Sequence, residues 1–212
     1  MSYIKVCGIT NLNDLDFVSN TKINAIGFNL YAKSKRFIDL PAAKEMSERL
    51  PEHIEIFLIF VNHEKEFVLN CLNEIPRAIP QFHGDESKQY CEGFKRDYVK
   101  AIRIEPDTDL EKINQDYKSA KMMIFDSHDE KDYGGTGKAF DLNLLRGKVK
   151  LPFLAAGGIN EFNFKKALNS ENCIGVDFCS SVEKVPGIKD HNKVKDLIEK
   201  VRSFHVWRTN AR

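Results

Sequence analysis

The sequence predicts a (β/α)8 barrel, an α/β fold in which eight parallel strands close into a ring and helices cover the outside. Three observations carry that expectation. Short apolar runs alternate eight times with stretches of helical spacing and charge. The runs are apolar throughout rather than alternately apolar and polar, the pattern of strands buried on both faces. Finally, 212 residues lie near the lower end of the roughly 200 to 250 residues usual for this fold, so the connections must be short. An open doubly wound sheet is the rival, but eight parallel strands in so short a chain favour closure.

The elements follow in order. "YIKV" ends at Cys7-Gly8, where the chain must turn, and Asn11 or Asn13 can cap "NLNDLDFVSN" by accepting from its first amides. "NAIGF" leads to "PAAKEMSERL", in which Pro41 suits a first helical position. "IEIFLIFV" with "EKEFVLNCLNEI", "AIPQFH" with "ESKQYCEGFKRD", and "VKAIRI" with "DLEKINQDYKSA" repeat the unit. "KMMIFD" precedes a polar segment and then "FDLNLLRG"; "PFLAAG" precedes "EFNFKKALNS"; "CIGVDF" precedes "DHNKVKDLIEKVRSF". No Pro/Ser-rich linker or low-complexity block interrupts the pattern. Residues 1–204 therefore read as a single barrel domain and 205–212 as a C-terminal tail.

Composition narrows the function. Lys+Arg number 32 against 31 Asp+Glu, a formal net charge of +1, which argues against a nucleic-acid surface built on a concentrated basic face. No apolar run approaches the roughly 20 residues of a membrane span, and the N-terminus lacks a signal-peptide pattern. The five cysteines, Cys7, Cys71, Cys91, Cys173 and Cys179, contain no C-x-x-C pair, and the six histidines show no metal spacing. Free thiols in a reducing cytoplasm are the expected state. The chain reads as a soluble cytoplasmic globular domain with no metal, nucleic acid or membrane partner.

In such a barrel the chemistry sits where strands end, because the loops there vary without disturbing the packed interior. Cys7, Phe28, Val61, His83, Ile104, Asp126, Gly157 and Ser180 close the eight runs. Gly157-Gly158 after the seventh run and Ser180-Ser181 after the eighth lie where barrels often hold phosphate, and a glycine turn leading to a helix start can cradle a dianion with its amides. Gly157-Gly158 is equally suited to a plain tight turn. Arg36, in "KSKR" after the second run, can grip a carboxylate bidentately if it is not simply a solvated loop residue. "YGGTGKAFD" (133–141) lacks phosphate-loop spacing and reads as part of a mobile loop over the mouth.

Cys7 and Asp126 form the sharpest pair, a base and an acid on opposite sides of the ring. From ordinary pKa values, holding the acid protonated at pH 7 takes roughly 4 kcal/mol and holding the thiol ionised about 2 kcal/mol; burial and nearby cations supply shifts of that size. The alternative for Cys7 is a small buried hydrophobe. His83 either orients a substrate or partners a carboxylate, or is a satisfied structural histidine. Period-two alternation also places Lys5 and Asp177 two residues before Cys7 and Cys179 on strands that closure makes neighbours, so a buried Lys5–Asp177 pair is expected.

Together these residues resemble the phosphoribosylanthranilate isomerase family of tryptophan biosynthesis. "IKVCGIT", "YAKSKRFI", "QFHGDE", "IFDS", "GGTGKAFD", "LAAGGIN" and "GVDFCSSVEKVPGIKD" match in order and cover nearly the whole barrel. The resemblance implies a cofactor-free Amadori rearrangement of N-(5-phosphoribosyl)anthranilate, in a monomer or homodimer. It implies Asp126 as general acid and Cys7 as base, with Arg36 on the anthranilate carboxylate; His83, at the end of the fourth run, is a further substrate-binding candidate. Gly157, Gly158, Ser180 and Ser181 would hold the phosphate. The family commonly reads Ser-Ser-Gly before Val-Glu, whereas this chain has Cys179-Ser180-Ser181. That places a second thiol on the same face, which pattern alone does not separate from Cys7. An isomerase acting on a different phosphoribosyl amine and a non-catalytic sugar-phosphate-binding barrel are the other readings.

Overall fold

A computed structural model describes residues 1–127, 142–145 and 147–210. Eight parallel strands close into a barrel in sequence order: β1 (Tyr3–Cys7), β2 (Ala25–Asn29), β3 (Glu55–Phe60), β4 (Ala78–Phe82), β5 (Val99–Ile104), β6 (Met122–Ser127), β7 (Phe153–Ala155) and β8 (Cys173–Phe178). Helices α1 (Leu12–Ser19), α2 (Leu40–Glu48), α3 (Lys65–Glu74), α4 (Lys88–Glu92), α5 (Leu110–Asp116), α6 (Phe164–Leu168) and α7 (His191–Asn210) connect and flank them. Where "FDLNLLRG" predicted a helix, the described part is a short 3-10 turn, Leu142–Leu145. The expected mobile loop, including 133–141, lies outside the described residues. A two-stranded antiparallel hairpin, β9 (Glu183–Val185) and β10 (Ile188–Lys189), separates β8 from α7.

Local chemistry sets the helix starts. Asn11 accepts from the Asp14 amide at 2.9 Å, and Asp39 accepts from Ala42 at the same distance, with Pro41 in the first turn of α2. Ser87 and Asp109 cap α4 and α5 in the same way. α7 runs on to Asn210, so the helix continues past His205, where the sequence suggested a tail.

Because the strands are buried on both sides, their two faces make two cores. Ile4, Val6, Ile26, Phe28, Ile56, Leu58, Phe60 and their equivalents pack outward against the helices. Ala25, Phe57, Ile59, Val99, Ala101, Met122, Ile124 and Leu154 fill the interior. Gly175 permits the closure: a Cβ there would lie 1.9 Å from the Tyr3 carbonyl oxygen, so β1 and β8 meet this closely only at glycine.

β1 and β8 pair with Lys5 opposite Asp177 and Val6 opposite Phe178. Lys5 Nζ donates to Asp177 Oδ2 at 2.7 Å, with both side chains buried inside the barrel. The pair expected from alternation and closure is present, and it forms the floor on which the site is built.

Candidate active site

One pocket at the carboxyl ends of the strands is lined by every candidate residue: Cys7, Arg36, His83, Asp126, Gly157, Gly158, Ser180 and Ser181. Cys7 ends β1, and Asp126 lies near the end of β6, three strands further round the ring through β8 and β7. The pocket adjoins, at Gly158, Ser180 and Ser181, a cleft of about 410 Å³ that is also lined by Asn160 and Lys193.

The surroundings of Cys7 explain why its strand ends in Cys-Gly. Gly8 has φ of 73° and would put a Cβ 2.6 Å from Arg36 Cδ, so only glycine lets the chain turn beneath the arginine. On the neighbouring strand Gly27 pairs with Cys7. A Cβ there would lie 2.9 Å from Cys7 Sγ and 3.1 Å from Lys5 Nζ. The thiol and the ammonium occupy the space that a side chain at residue 27 would fill.

The Cys7 thiol is held well below the usual thiol range. The neighbouring Cys179 thiol is the largest cause; burial opposes it, and the charges of Lys5 and Lys189 add to it. Cys179 is driven the other way, well above its ordinary value, by the Cys7 thiol and by burial. The two thiols that the sequence left equivalent are therefore pushed in opposite directions, Cys7 toward the thiolate and Cys179 away from it. Burial works to lower the Lys5 ammonium, but Asp177 and Cys7 outweigh it and raise its pKa to about 12. Burial pushes the Asp177 carboxyl up to about 7, with Lys5 pulling it back.

Across the mouth, His83 Nε2 stands 3.3 Å from Asp126 Oδ2, in contact but out of hydrogen-bond alignment. Gln81 Nε2 lies 3.2 Å from His83 Nδ1. With the amide as donor, the ring proton sits on Nε2, the nitrogen facing Asp126. Asp126 Oδ1 is buried and has no partner among the described residues. It is a carboxyl oxygen held in the pocket and left for a ligand.

Arg36 is clamped rather than loose. Asn29 Nδ2 donates to Ser34 Oγ at 3.0 Å, and Ser34 Oγ accepts from the Arg36 amide at 3.1 Å, which shapes the loop after β2. Glu183 Oε1 and Oε2 accept from Arg36 Nε and Nη2 at 2.8 and 2.6 Å. That uses one edge of the guanidinium and leaves the Nη1 edge to complete a second fork. Burial opposes the Arg36 charge, but Glu183 more than offsets it and the pKa rises. Glu183 is itself lowered: burial acts to raise it, and Arg36 and Lys189 outweigh burial. Lys189 Nζ donates to Glu183 Oε1 at 2.9 Å and to the Cys7 carbonyl at 2.6 Å.

Neither Glu183 nor Lys189 emerged as a site residue from the sequence, although both stand in the quoted "SSVEKVPGIKD". The available signal was Pro186-Gly187 between short β-prone stretches, a turn signature that makes a hairpin and folds Lys189 back onto β1. At the two loops, Gly157 and Gly158 both have positive φ, 66° and 68°. Ser181 Oγ is buried with no partner among the described residues. The loops meet at the pocket with an unsatisfied hydroxyl between them.

A closed (β/α)8 barrel with a thiol of lowered pKa, an imidazole beside a carboxyl group and a clamped guanidinium at the carboxyl ends of its strands belongs to the barrel enzymes that work at that mouth. Within that class, the chain is a member of the N-(5'phosphoribosyl)anthranilate (PRA) isomerase family, whose model matches residues 4–200. An N-(5'-phosphoribosyl)anthranilate isomerase of Caldanaerobacter subterraneus subsp. tengcongensis is 41% identical over 204 residues, 95% of this chain and 98% of the relative. The crystal structure of phosphoribosyl anthranilate isomerase from Thermotoga maritima superposes with a TM-score of 0.86 at 31% identity, covering 96% of this chain and all of that one. A phosphoribosyl anthranilate isomerase in complex with reduced 1-(o-carboxyphenylamino)-1-deoxyribulose 5-phosphate superposes with a TM-score of 0.83 at 29% identity, over 96% of this chain and 100% of that chain.

Proposed function

We infer that this chain isomerises N-(5'-phosphoribosyl)anthranilate to 1-(2-carboxyphenylamino)-1-deoxyribulose 5-phosphate by general acid–base catalysis in tryptophan biosynthesis. Asp126 gives a proton to the furanose ring oxygen, the ring C–O bond breaks, and the anthranilate nitrogen's lone pair forms the C=N of a Schiff base. Cys7, as thiolate, removes the C2′ proton, and those electrons move through C1′ to the iminium nitrogen. The resulting enolamine tautomerises to the ketone. Base and acid must act from different sides of the sugar, as residues from β1 and β6 do.

The observation that carries the reading is the common pocket. A thiol with a lowered pKa and a carboxyl oxygen without a partner among the described residues line it together with two glycine- and serine-bearing loops. His83, 3.3 Å from Asp126, contacts the substrate beside the acid. Arg36, steadied on one edge by Glu183, presents its Nη1 edge to the anthranilate carboxylate. Gly157, Gly158 and Ser180 carry the phosphate. The Ser181 hydroxyl serves as a further donor where the family more often has glycine. The substrate is a small molecule, the protein acts in the cytoplasm as a monomer or homodimer, and residues 1–204 work as one domain. Among the described residues no helix is long and apolar enough to cross a membrane.

The test is to mix the purified protein with phosphoribosylanthranilate and follow the loss of anthranilate-type fluorescence. The wild type consumes the substrate, and Cys7→Ala and Asp126→Ala each lose turnover by about 10²- to 10⁴-fold. Full turnover in both variants contradicts the chemistry.

A further inference from the structure

We propose that Cys7 and Cys179 form a peroxide-reactive dithiol, a modification site at which the two sulfurs close into a disulfide across the β1/β8 seam. The register makes the pairing. Lys5 and Asp177 stand opposite each other and their side chains touch inside the barrel at 2.7 Å. Val6 stands opposite Phe178, and one step further Cys7 and Cys179 face the same way as the Lys5–Asp177 pair. Neighbouring strands lie about 4.8 Å apart, within the ~4.4–6.8 Å Cα separation that a disulfide spans. Both cysteines are partly exposed, and both line the pocket. Cys7 Sγ and Lys5 Nζ share the space that a Cβ at Gly27 would fill, 2.9 and 3.1 Å from it, and Lys189 Nζ donates to the Cys7 carbonyl at 2.6 Å.

The roles follow from the two ammonium groups placed at Cys7. A thiolate with cations beside it is the sulfur that reacts with peroxide, and a protonated neighbour is the resolving thiol. The Cys7 thiolate attacks one oxygen of hydrogen peroxide. The O–O bond breaks, hydroxide leaves and takes a proton from solvent to become water, and Cys7 becomes a sulfenic acid. The Cys179 sulfur then attacks the Cys7 sulfur as its own proton leaves. The S–S bond forms, the S–O bond breaks, and the departing hydroxide takes up that proton as a second water. One peroxide is reduced to two waters and two thiols are oxidised. The other buried thiols differ: burial pushes Cys71 up to about 11 and Cys91 up to about 12, and both are fully enclosed. A serine in place of Cys179 offers no resolving sulfur.

The consequence for turnover rests on the reading of Cys7 as the base, but formation of the bond does not. The experiment therefore reads both. The purified protein is treated with hydrogen peroxide, digested without reduction, and its peptides are mapped by mass. In parallel, the turnover of phosphoribosylanthranilate is followed before treatment, after it, and after dithiothreitol. The expected result is a linked Cys7–Cys179 peptide, loss of turnover to background in step with it, and recovery of both with dithiothreitol. Cys71 and Cys91 stay unmodified. In Cys179→Ser the linked peptide is absent, and Cys7 passes to sulfinic acid that dithiothreitol does not reverse. Wild-type protein that turns over substrate but yields Cys7 sulfinic acid with no linked peptide overturns the dithiol. A linked peptide in a protein that never turned over substrate upholds the dithiol and overturns the reading of function.

Discussion

Cys71 on α3 and Cys91 on α4 lie in the layer between sheet and helices, wrapped in aliphatic and aromatic side chains. Cys7 and Cys179 lie at the mouth of the barrel, with Lys5, Lys189 and Arg36 around them. The side chain is the same in both regions. In the first, burial without a strong cation raises the thiol and leaves a small hydrophobe; at Cys91 the charge of Lys100 pulls against burial and loses. In the second, burial at Cys7 is opposed by the neighbouring Cys179 thiol and by cations that cannot leave, because each is tied to a carboxylate. Reactivity here belongs to the surroundings, and those surroundings are built by residues far apart in sequence.

The comparison can be broken most directly by alanine at Cys7 against alanine at Cys91. At Cys7 turnover falls by about 10²- to 10⁴-fold, while the affinity for reduced 1-(o-carboxyphenylamino)-1-deoxyribulose 5-phosphate, measured calorimetrically, changes by a few-fold only. At Cys91 turnover is unchanged and the denaturant midpoint shows a loss of about 1 kcal/mol from the missing buried volume. Equal effects on turnover would dissolve the distinction.

Removing a cation is the next largest perturbation. Lys5→Met leaves Asp177 buried without its partner and should cost about 3–5 kcal/mol in a denaturant titration. It also removes a charge from beneath the thiol, so Cys7 alkylation by iodoacetamide at neutral pH slows. Lys5→Met protein as stable as the wild type would mean that the interior pair does not hold the floor of the site.

A finer change sharpens the contrast between Cys7 and Cys179. With Cys7 as the base proposed above, kcat/KM falls as pH drops through the Cys7 pKa in the folded protein. Cys179→Ala removes the donor that keeps that value low, and the acid limb of the pH–rate profile moves to higher pH. Cys179→Ser restores a donor and moves it part of the way back. An acid limb that stays in place in Cys179→Ala removes Cys179 from the account. The smallest effect expected is at Cys71, where serine leaves the profile unmoved and alters only the denaturant midpoint.

Much of this arrangement is legible in the sequence for a physical reason. Strands buried on both faces leave long apolar runs, and glycine and asparagine punctuate them, so all eight strands and their order can be read. Lys5–Asp177 follows from alternation plus closure, with no contact needed in advance. The rest depends on how distant segments meet. Gly27 matters because a thiol and an ammonium from β1 fill its place, and a glycine within a strand says only that something comes close. Glu183 and Lys189 matter because a hairpin folds them onto Arg36 and the end of β1. The choice between Cys7 and Cys179 needs the positions of the cations around both. Asp126 could be picked out by its strand end, but its unpartnered oxygen and its contact with His83 belong to the assembled mouth.

The measurement closest to the central claim is the ultraviolet absorbance of thiolate in the native protein, titrated with pH and compared with Cys7→Ala and Cys91→Ala. The account predicts a thiolate signal at neutral pH in the wild type, kept in Cys91→Ala and missing in Cys7→Ala. A wild-type protein whose thiols all ionise at or above the ordinary range, with no difference on losing Cys7, would contradict it.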